Sequence, residues 1–467
     1  MQRNKLKPVL RLAIAGLAAV GFGGSATAET FQGALETALR SSPDLAAQYD
    51  AVRGLNEGVA TARSGLRPSV TGSASAGYSF TDSSEAPKPT HLRPTSLNLT
   101  VTQPVFDGFQ TQNAVSGAFE DVRSGRETLR GTQQTVLLNA IAAYIGVIQA
   151  RENVALARND LSVNRRSLQA ARDRFNVGEV TRTDVAQAEA SVASSQANLA
   201  TQEGLHSQAR ETYLRQIGVM PDTLEPTPPL PPLPETLEEA REVARRNHPD
   251  ILAARANVAS AGFGVEEARG AILPQVDLQA TGSALSESIN RGSGVMSGAA
   301  TVNVTVPLYQ GGALRSQVRR GQALESQRYQ QLRSVTRQIL EGVGLAWEDL
   351  QTSKATIRAN RAAVRSNQIA LEGVREEAKV GSRTTLDVLE AQQTLLDSQV
   401  DLVNSRTSQE INAYALLRAM GVLSVDTVNV AFDAPPIEED YEATQGYFVG
   451  SFDEPERPDD WLTNYDH

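Results

Sequence analysis

The sequence predicts a membrane α+β protein that is built as two copies of one helix–strand–strand–helix unit. Three observations lead to this fold class. First, the chain of 467 residues repeats its own motifs at spacings of 203 and 206 residues. Second, each copy contains two segments in which polar and apolar residues alternate, which predicts strands with one wet and one apolar face. Third, each copy carries a long heptad pattern of the kind that forms coiled coils.

Short motifs define the internal repeat. Pro-Asp-Leu at 43–45 returns as Pro-Asp-Ile at 249–251, a shift of 206 residues, and Val-Gly at 177–178 returns at 380–381, a shift of 203. A period of this length is far longer than the repeats of solenoid proteins. It therefore indicates a gene duplication and an approximate two-fold relation inside the chain.

The first 28 residues have the features of an export signal. A basic start is followed by an apolar stretch from Leu12 to Gly24 and by a small-x-small sequence, which predicts a signal peptide cleaved near Ala28. A membrane anchor is the alternative, but the apolar stretch is shorter than the roughly 20 residues that a spanning helix needs. Beyond this leader we predict a first repeat, a Pro-rich linker, a second repeat and an acidic, flexible tail, at residues 29–220, 221–235, 236–421 and 422–467.

Composition narrows the function classes. Without cysteine, the chain can form no disulfide and has no residue after the leader to carry a lipid. No later stretch reaches the roughly 18 apolar residues of a membrane helix, so strands must carry the mature chain if it enters a membrane. Acids are concentrated between Asp433 and His467, eleven of them against a single arginine. Nothing in this charge pattern suggests nucleic-acid binding.

A helical stretch opens each copy, and two strand-like segments follow it. The helical stretches are predicted at residues 31–66 and 237–272, and the alternating segments at 71–80, 97–102, 275–280 and 301–306. Ser, Thr, Asn and Gln on the wet faces, together with polar loops, favour strands that cross an outer membrane over a soluble sheet packed on helices. Because known membrane barrels begin near eight strands, four strands per chain require several protomers to share one barrel.

A very long helix and a return helix complete each copy. The long helices are predicted at residues 110–176 and 313–379, and 67 residues at about 1.5 Å each make a rod of roughly 100 Å. In the first long helix, apolar residues seven positions apart form one heptad seam: Val147, Val154, Leu161, Leu168 and Phe175. The matching residues of the second long helix are Leu350, Ile357, Val364, Leu371 and Ala378. Thr183 and Thr385 are predicted to cap the return helices. The two turns before them lie at the same end of the molecule, far from the strands.

These features together resemble the TolC-like outer-membrane factors. The resemblance covers residues 30–421 and depends on the repeated turn Val-Gly-x-x-x-x-x-Asp-Val, the Pro-x-aromatic-x-Gly sequence after the second strand, and the two-copy order. It implies a homotrimer whose three chains share a twelve-stranded barrel in the lipid of the cell outer membrane, continuous with a coiled-coil helical barrel in the periplasm. It also implies the exit duct of a tripartite export system, which docks on a periplasmic adaptor (membrane fusion protein) and an inner-membrane ABC or RND transporter. Such ducts pass secreted protein, in type I secretion, or small molecules, in efflux.

The same resemblance implies a gate at the periplasmic tip of the second hairpin. The family's acidic rings match Asp387 and Glu390, which are three residues apart and so share one helical face. In a trimer they would place six carboxylates in one aperture, where like charges raise the cost of ionisation and attract cations. The plainer interpretation is that acids in a first helical turn favour the helix dipole.

A latch and a docking surface are implied at the same end. Arg383 matches a family arginine that helps hold the tip shut through the first hairpin, where Asp184 and Thr183 match its partners. The chain departs from the family at Ala378, where the resemblance implies a tyrosine and one more latch. Closure here would then depend more on Arg383 and Asp184. The hairpin-tip residues implied to contact the adaptor are Val177, Gly178, Val380 and Gly381.

Two other classes of protein compete with this interpretation. A soluble periplasmic coiled-coil scaffold or adaptor would also use long heptads, and membrane fractionation separates it from a duct. An enzyme is not expected, and no cofactor is implied, because the four histidines are scattered and no catalytic constellation is found.

Overall fold

The computed structural model describes residues 29–82, 89–287 and 292–432. The predicted signal peptide and the acidic tail from residue 433 lie outside the described residues. Helices α1 to α8 span Phe31–Ser41, Pro43–Ser64, Gln110–Asn176, Arg182–Ile217, Leu237–Asn247, Pro249–Gly270, Ala313–Lys379 and Thr385–Ala419. Strands β1 to β6 span Ser69–Ala76, Ser79–Thr81, Thr90–Leu92, Thr95–Phe106, Gln275–Ser286 and Gly294–Thr305. Among the described helices, none is both long and apolar enough to cross a membrane.

Each predicted opening helix is in fact two helices. The breaks fall at Ser42 and His248, which are extended and stand directly before a proline at the start of the next helix. Helical conformation is disfavoured for a residue before proline, whereas proline fits the first helical position because an N–H there has no partner to lose. Both side chains also accept a hydrogen bond from a backbone N–H of the following helix. The expectation of one continuous helix over 31–66 and over 237–272 is therefore wrong.

A four-stranded antiparallel sheet joins the two repeats in the order β1-β4-β5-β6. Its central pair, β4 with β5, brings one strand from each repeat together. The first predicted strand, 71–80, is interrupted: β1 ends at Ala76, because the next residue, Gly77, faces Pro94, which has no N–H to continue the ladder. The chain then continues as a separate β2–β3 hairpin.

The predicted alternation of faces is confirmed. Opposite residues in an antiparallel pair share a face, and the register gathers most apolar positions of the four strands on one side. That side is open: Leu99 is 52% exposed and Val302 is 67% exposed. The other side carries hydroxyl and amide side chains, including Ser75 and Ser96, whose Oγ atoms are 2.7 Å apart.

The long helices α3 and α7 have 67 residues each and occupy the predicted ranges. Each packs along its own return helix, α3 on α4 and α7 on α8. Heptad residues are buried in the middle of the hairpins, as at Leu161 and Leu350, whereas Phe175 at the end of α3 is 43% exposed. The seam therefore holds each hairpin together and opens towards its tip.

The main core lies where α1 meets the middle of the long hairpins. Its largest buried side chains are aromatic, and the rings of Phe31 and Tyr144 meet edge to face with centroids 5.3 Å apart. Tyr144 Oη also donates to the backbone oxygens of Glu29 and Glu225, at 3.1 and 2.8 Å. Since Glu225 belongs to the Pro-rich linker, this hydroxyl ties the linker to the core.

The start of the predicted tail also belongs to this core. Leu423 is fully buried, and Val428 and Val430 are nearly so. The expectation of a flexible segment from residue 422 onwards is therefore wrong for residues 422–432, because three apolar side chains in this stretch gain burial by folding back.

Candidate functional site

Each long hairpin closes with a short turn at the end farthest from the sheet. A glycine with positive φ follows the end of each long helix, Gly178 at +82° and Gly381 at +81°. Glycine suits this left-handed conformation because it has no Cβ to clash with the backbone. The preceding valines are strongly exposed, Val177 by 71% and Val380 by 80%. The two tips thus each present an apolar side chain to their surroundings.

Both return helices begin with a capping box. The N-caps are Thr181 and Thr384, so the prediction of Thr183 and Thr385 is wrong. In a Thr-x-x-Asp sequence the threonine hydroxyl accepts from the aspartate N–H while the carboxylate accepts from the threonine N–H, and two unpaired donors of the helix end are satisfied. Thr183 and Thr385 have no acid three residues later and lie inside the first turn.

The predicted gate acid Asp387 is one of these capping residues. Its Oδ2 accepts from the N–H and hydroxyl of Thr384 at 2.8 and 2.9 Å, and Asp184 accepts from Thr181 at 2.8 and 2.7 Å. These hydrogen bonds stabilise the carboxylate form and lower the pKa of both aspartates, with the backbone N–H as the largest cause. Asp387 is therefore an ionised acid engaged in its own helix end.

The second predicted gate acid, Glu390, lies nearly one turn further along α8. Its side chain is exposed. Unlike Asp387 it takes no part in the capping box. The first hairpin has Gln187 at the equivalent position. Glu390 is thus an acid that the second tip has and the first tip lacks.

The predicted latch residue Arg383 pairs within its own hairpin. Its Nε donates to Glu377 Oε2 at 2.8 Å, and this carboxylate raises the pKa of the guanidinium. Asp184 is bonded to Thr181, and Thr183 is exposed in the first turn of α4. A single chain therefore does not bring the three latch residues together, and contact between Arg383 and Asp184 stays a prediction for the assembled protein.

A buried polar cluster that the sequence patterns did not predict lies between the hairpins. It consists of Asp160 and Asn164 of α3, Ser195 of α4 and Gln392 of α8, none more than 6% exposed. Ser195 Oγ donates to Asp160 Oδ2 at 2.6 Å, and Gln392 Nε2 donates to Asp160 Oδ1 at 3.3 Å. A signal was available, because Asn164 occupies an inward heptad position and a buried amide needs partners. The cluster fixes α8 against α3 and α4.

The side chains of the two hairpins are suited to packing and to contact with solvent. The described residues contain no group of three or more His, Asp or Glu side chains that could hold a metal ion. A groove over α3, between α4 and α8, is lined by amides, carboxylates and aliphatic groups such as Asn198, Gln202, Asp397 and Val400. This lining suits helix packing and solvent contact.

Comparison with a protein-family model gives two matches. The model described as "Outer membrane efflux protein" matches residues 34–218 and 240–422. One matched segment falls in each copy of the repeat, so the internal duplication is also visible at the level of the family.

Individual relatives agree with the family match. The chain is 35% identical to outer membrane efflux protein BepC of Brucella suis over 429 residues, covering 92% of this chain and 93% of BepC. It is 29% identical to outer membrane protein TolC of Escherichia coli, covering 90% of this chain and 87% of TolC. The crystal structure of the outer membrane protein VceC from Vibrio cholerae shares the fold, with a TM-score of 0.71 and 23% identity over 83% of this chain and 95% of VceC.

Proposed function

The chain belongs to the outer membrane efflux protein family, and from this we propose that it is the outer-membrane exit duct of a tripartite export system. In this role it passes secreted protein or small molecules from an inner-membrane transporter to the outside. A periplasmic adaptor connects the duct to the transporter, which is of the ABC or RND type. The transporter selects the cargo.

The observation that carries the proposal is the open apolar face of the sheet. Exposure of apolar side chains such as Leu99 and Val302 to water is unfavourable in free energy. Contact of the same side chains with lipid is favourable. The opposite face, with its hydroxyl and amide side chains, suits a wet lumen. A soluble scaffold would instead cover the apolar face with its own helices, and the described helices leave it uncovered.

The strand edges support the proposal of a homotrimer. Within the described residues, β1 and β6 each have a neighbour on one side only. A membrane sheet needs all its edges paired, because lipid offers no hydrogen bonds. Three copies with four strands each would close a barrel of twelve, within the size range of known outer-membrane barrels.

The gate is proposed at the second hairpin tips. Three copies would bring Asp387 and Glu390 together around one axis as two acidic rings, with Arg383 reaching Asp184 and Thr183 to hold the tips shut. Exposed Val177 and Val380, each beside a turn glycine (Gly178 and Gly381), are proposed to contact the adaptor. Such an apolar tip suits a partner that covers it.

Membrane fractionation followed by conductance measurement tests the proposal. The full-length protein should stay with the outer membrane through carbonate and high-salt washing. Purified in detergent and added to a planar bilayer, it should produce discrete conductance steps. Complete release by washing, or the lack of conductance from membrane-derived protein, would contradict a duct and favour a scaffold.

A further inference from the structure

The long helix α7 has a strongly basic stretch at the end nearest the sheet. Between Ala313 and Arg337 it carries six arginines and a single acid, Glu325. All six arginines are exposed, and within the described residues none of them forms an ion pair. Arg328 and Arg333 donate to glutamine side chains of the same helix, at 3.1 and 3.2 Å. These arginines therefore have no anionic partner in the described part of the chain.

The equivalent stretch of α3 is neutral. Residues 110–134 contain three arginines and three acids. Arg123 pairs with Glu120 at 3.7 Å, and Arg130 pairs with Glu127 at 3.2 Å. At the shift of 203 residues, alanine, leucine and glutamine stand in α7 where α3 has its three acids. A long helix of this fold therefore does not require the excess of positive charge, and the arginines of α7 need another explanation.

Three of the arginines share one face of α7, here called the arginine face: Arg315, Arg319 and Arg333. The second and third lie 4 and 18 residues after the first, which is close to one and five full turns of helix. Their counterparts on α3 are Gln112, Ser116 and Arg130. Although α3 packs between α2 and α6, the first of these positions is exposed and the other two are half-buried. The arginine face therefore stays accessible even when a helix packs on each side of α7.

The end of the described chain lies on the same side of the long helices. Arg130 of α3 donates to the carbonyl oxygen of Asn247. Gly421 packs on this oxygen so closely that a Cβ atom on the glycine would lie 2.9 Å from it. The side of α3 that carries Arg130 thus faces the segment that follows α8. Since α7 is the repeat of α3, the side of α7 that carries Arg333 faces the same way.

The tail also begins at the right height along the helices. Phe432, the last described residue before the tail, packs against the main core. On α3 this core extends from Leu129 to Val147, and the counterparts of these positions on α7 are residues 332–350. The tail therefore leaves the core near the level of Arg333, at the end of the arginine face that is farther from the sheet.

The composition of the tail complements the arginine face. Residues 433–467 contain eleven acids, one arginine and six aromatic residues, whereas aromatic residues make up 5% of the whole chain. Arginine forms bidentate hydrogen bonds with carboxylates and stacks on aromatic rings. The arginine face is roughly 27 Å long, a distance that a tail of 35 residues exceeds several-fold when extended.

We propose that the acidic tail, residues 433–467, binds along the arginine face of α7. Its carboxylates then take the place of the acids that α3 has and α7 lacks. The tail becomes a strap over the sheet end of the long helices, and it prevents this basic surface from binding other anionic groups of the cell envelope. This inference concerns a part of the chain that the proposed duct function does not use.

Fluorescence of Trp461 tests the proposal in the full-length protein in detergent. The chain has two tryptophans, so Trp347→Phe leaves Trp461 of the tail as the only reporter. Acrylamide should quench it about threefold more slowly than in a synthetic peptide of residues 433–467, and about 1 M sodium chloride should remove this difference, because salt screens exposed ion pairs. Quenching as fast as in the peptide at low salt would overturn the proposal.

Neutralising the arginine face should release the tail. In the same background, Arg315→Gln, Arg319→Gln and Arg333→Gln together should raise the quenching rate to that of the peptide. The matched control replaces three exposed arginines further along the same helix: Arg358→Gln, Arg361→Gln and Arg365→Gln. The control should leave the quenching rate unchanged. Equal rates in the parent protein and the arginine-face variant, or equal release by the control, would contradict binding at this face.

Neutralising acids of the tail tests whether the two sets of charges act together. The variant Glu438→Gln, Glu439→Gln, Asp440→Asn and Glu442→Gln should also raise the quenching rate, and it should add nothing once the arginine face is neutralised, because groups in contact have non-additive effects. Additive effects would show that the tail and the face act separately.

Vesicles of phosphatidylglycerol test the other class of occupant. The full-length protein should bind them weakly, and loss of the arginine face should not weaken this binding further, because the tail already covers the arginines. If the parent protein binds the vesicles through the arginine face and Trp461 is quenched as in the peptide, anionic lipid covers the face and the proposal is wrong.

Discussion

At the tip of the first hairpin, Arg174 at the helix end pairs with Glu179 of the turn at 3.1 Å. At the tip of the second, Glu377 at the helix end pairs with Arg383 of the turn at 2.8 Å. Arg174 and Glu377 are equivalent positions at a shift of 203 residues. The duplication has therefore kept an ion pair at each tip and reversed its direction: the turn contributes the acid Glu179 in the first hairpin and the base Arg383 in the second.

The comparison sorts the candidate gate residues into two kinds. Asp387 has an equivalent, Asp184, which makes the same hydrogen bonds, so part of its role is to begin a helix. Glu390 and Arg383 have Gln187 and Val180 in their places. Residues that both hairpins share have a structural role in the helices. Residues that only the second hairpin has are the stronger candidates for gating.

The largest expected effect comes from removing the second tip's acids. In planar bilayers, Asp387→Asn with Glu390→Gln should weaken block by trivalent cations by roughly a hundredfold, and Glu390→Gln alone by about tenfold, because each ring concentrates negative charge in the aperture. Gln187→Glu is the matched control and should leave the block unchanged. Unaltered block in the double variant would remove these residues from the gate.

A second large effect is expected where the hairpins meet. Asp160→Ala leaves Asn164, Ser195 and Gln392 short of a buried partner, which should cost about 2 kcal/mol in local stability. Hydrogen exchange should accelerate in α3 around residue 160 and remain unchanged around residue 363, where the second hairpin has no acid. Asp173→Ala, at an exposed site on the same helix, should change neither region. Equal acceleration in both regions would mean that the cluster has no local role.

The sequence was sufficient for the long helices and insufficient for their ends and contacts. A seven-residue period from Val147 to Phe175, which returns from Leu350 to Ala378, lies inside α3 and α7 and predicts both helices, since five positions in each copy follow one pattern. Thr181 and Thr183 are both candidate N-cap residues in the sequence. Only the aspartate at the third helical position, which completes a capping box with Thr181, distinguishes them.

Contacts between the hairpins were harder to foresee. Asp160 and Gln392 are 232 residues apart and meet because of how α8 lies on α3. Periodicity along one helix predicts which face is buried, but it does not specify the neighbour. The prolines after Ser42 and His248 were a signal for the two helix breaks. Because the residues on both sides of each break have a helical pattern, the sequence was interpreted as one continuous helix.

A smaller effect should distinguish two roles of Arg383: the ion pair with Glu377 in its own tip, and the proposed latch to the first hairpin. If the arginine serves only its own tip, Arg383→Ala and Glu377→Ala should have the same slight effect, because exposed ion pairs contribute about 0–1 kcal/mol. We expect instead that Arg383→Ala raises the single-channel conductance and that Glu377→Ala does not, since the proposed latch needs the arginine to reach the first hairpin. Equal conductance in the two variants would contradict the latch.

The smallest expected effect tests what the two tips have in common. Their capping carboxylates have lowered pKa values, because the ionised forms accept hydrogen bonds from Thr181 and Thr384. An acid whose pKa is lowered by folding contributes stability above its unfolded pKa and loses it as the pH falls through the folded value. The first turns of α4 and α8 should therefore fray together as the pH drops below about 4. Asp184→Ala and Asp387→Ala should each remove this dependence in their own tip and accelerate amide exchange there by roughly fivefold at neutral pH. Exchange followed by mass spectrometry at both pH values measures this, and a tip that responds to pH without its aspartate would show that another group caps the helix.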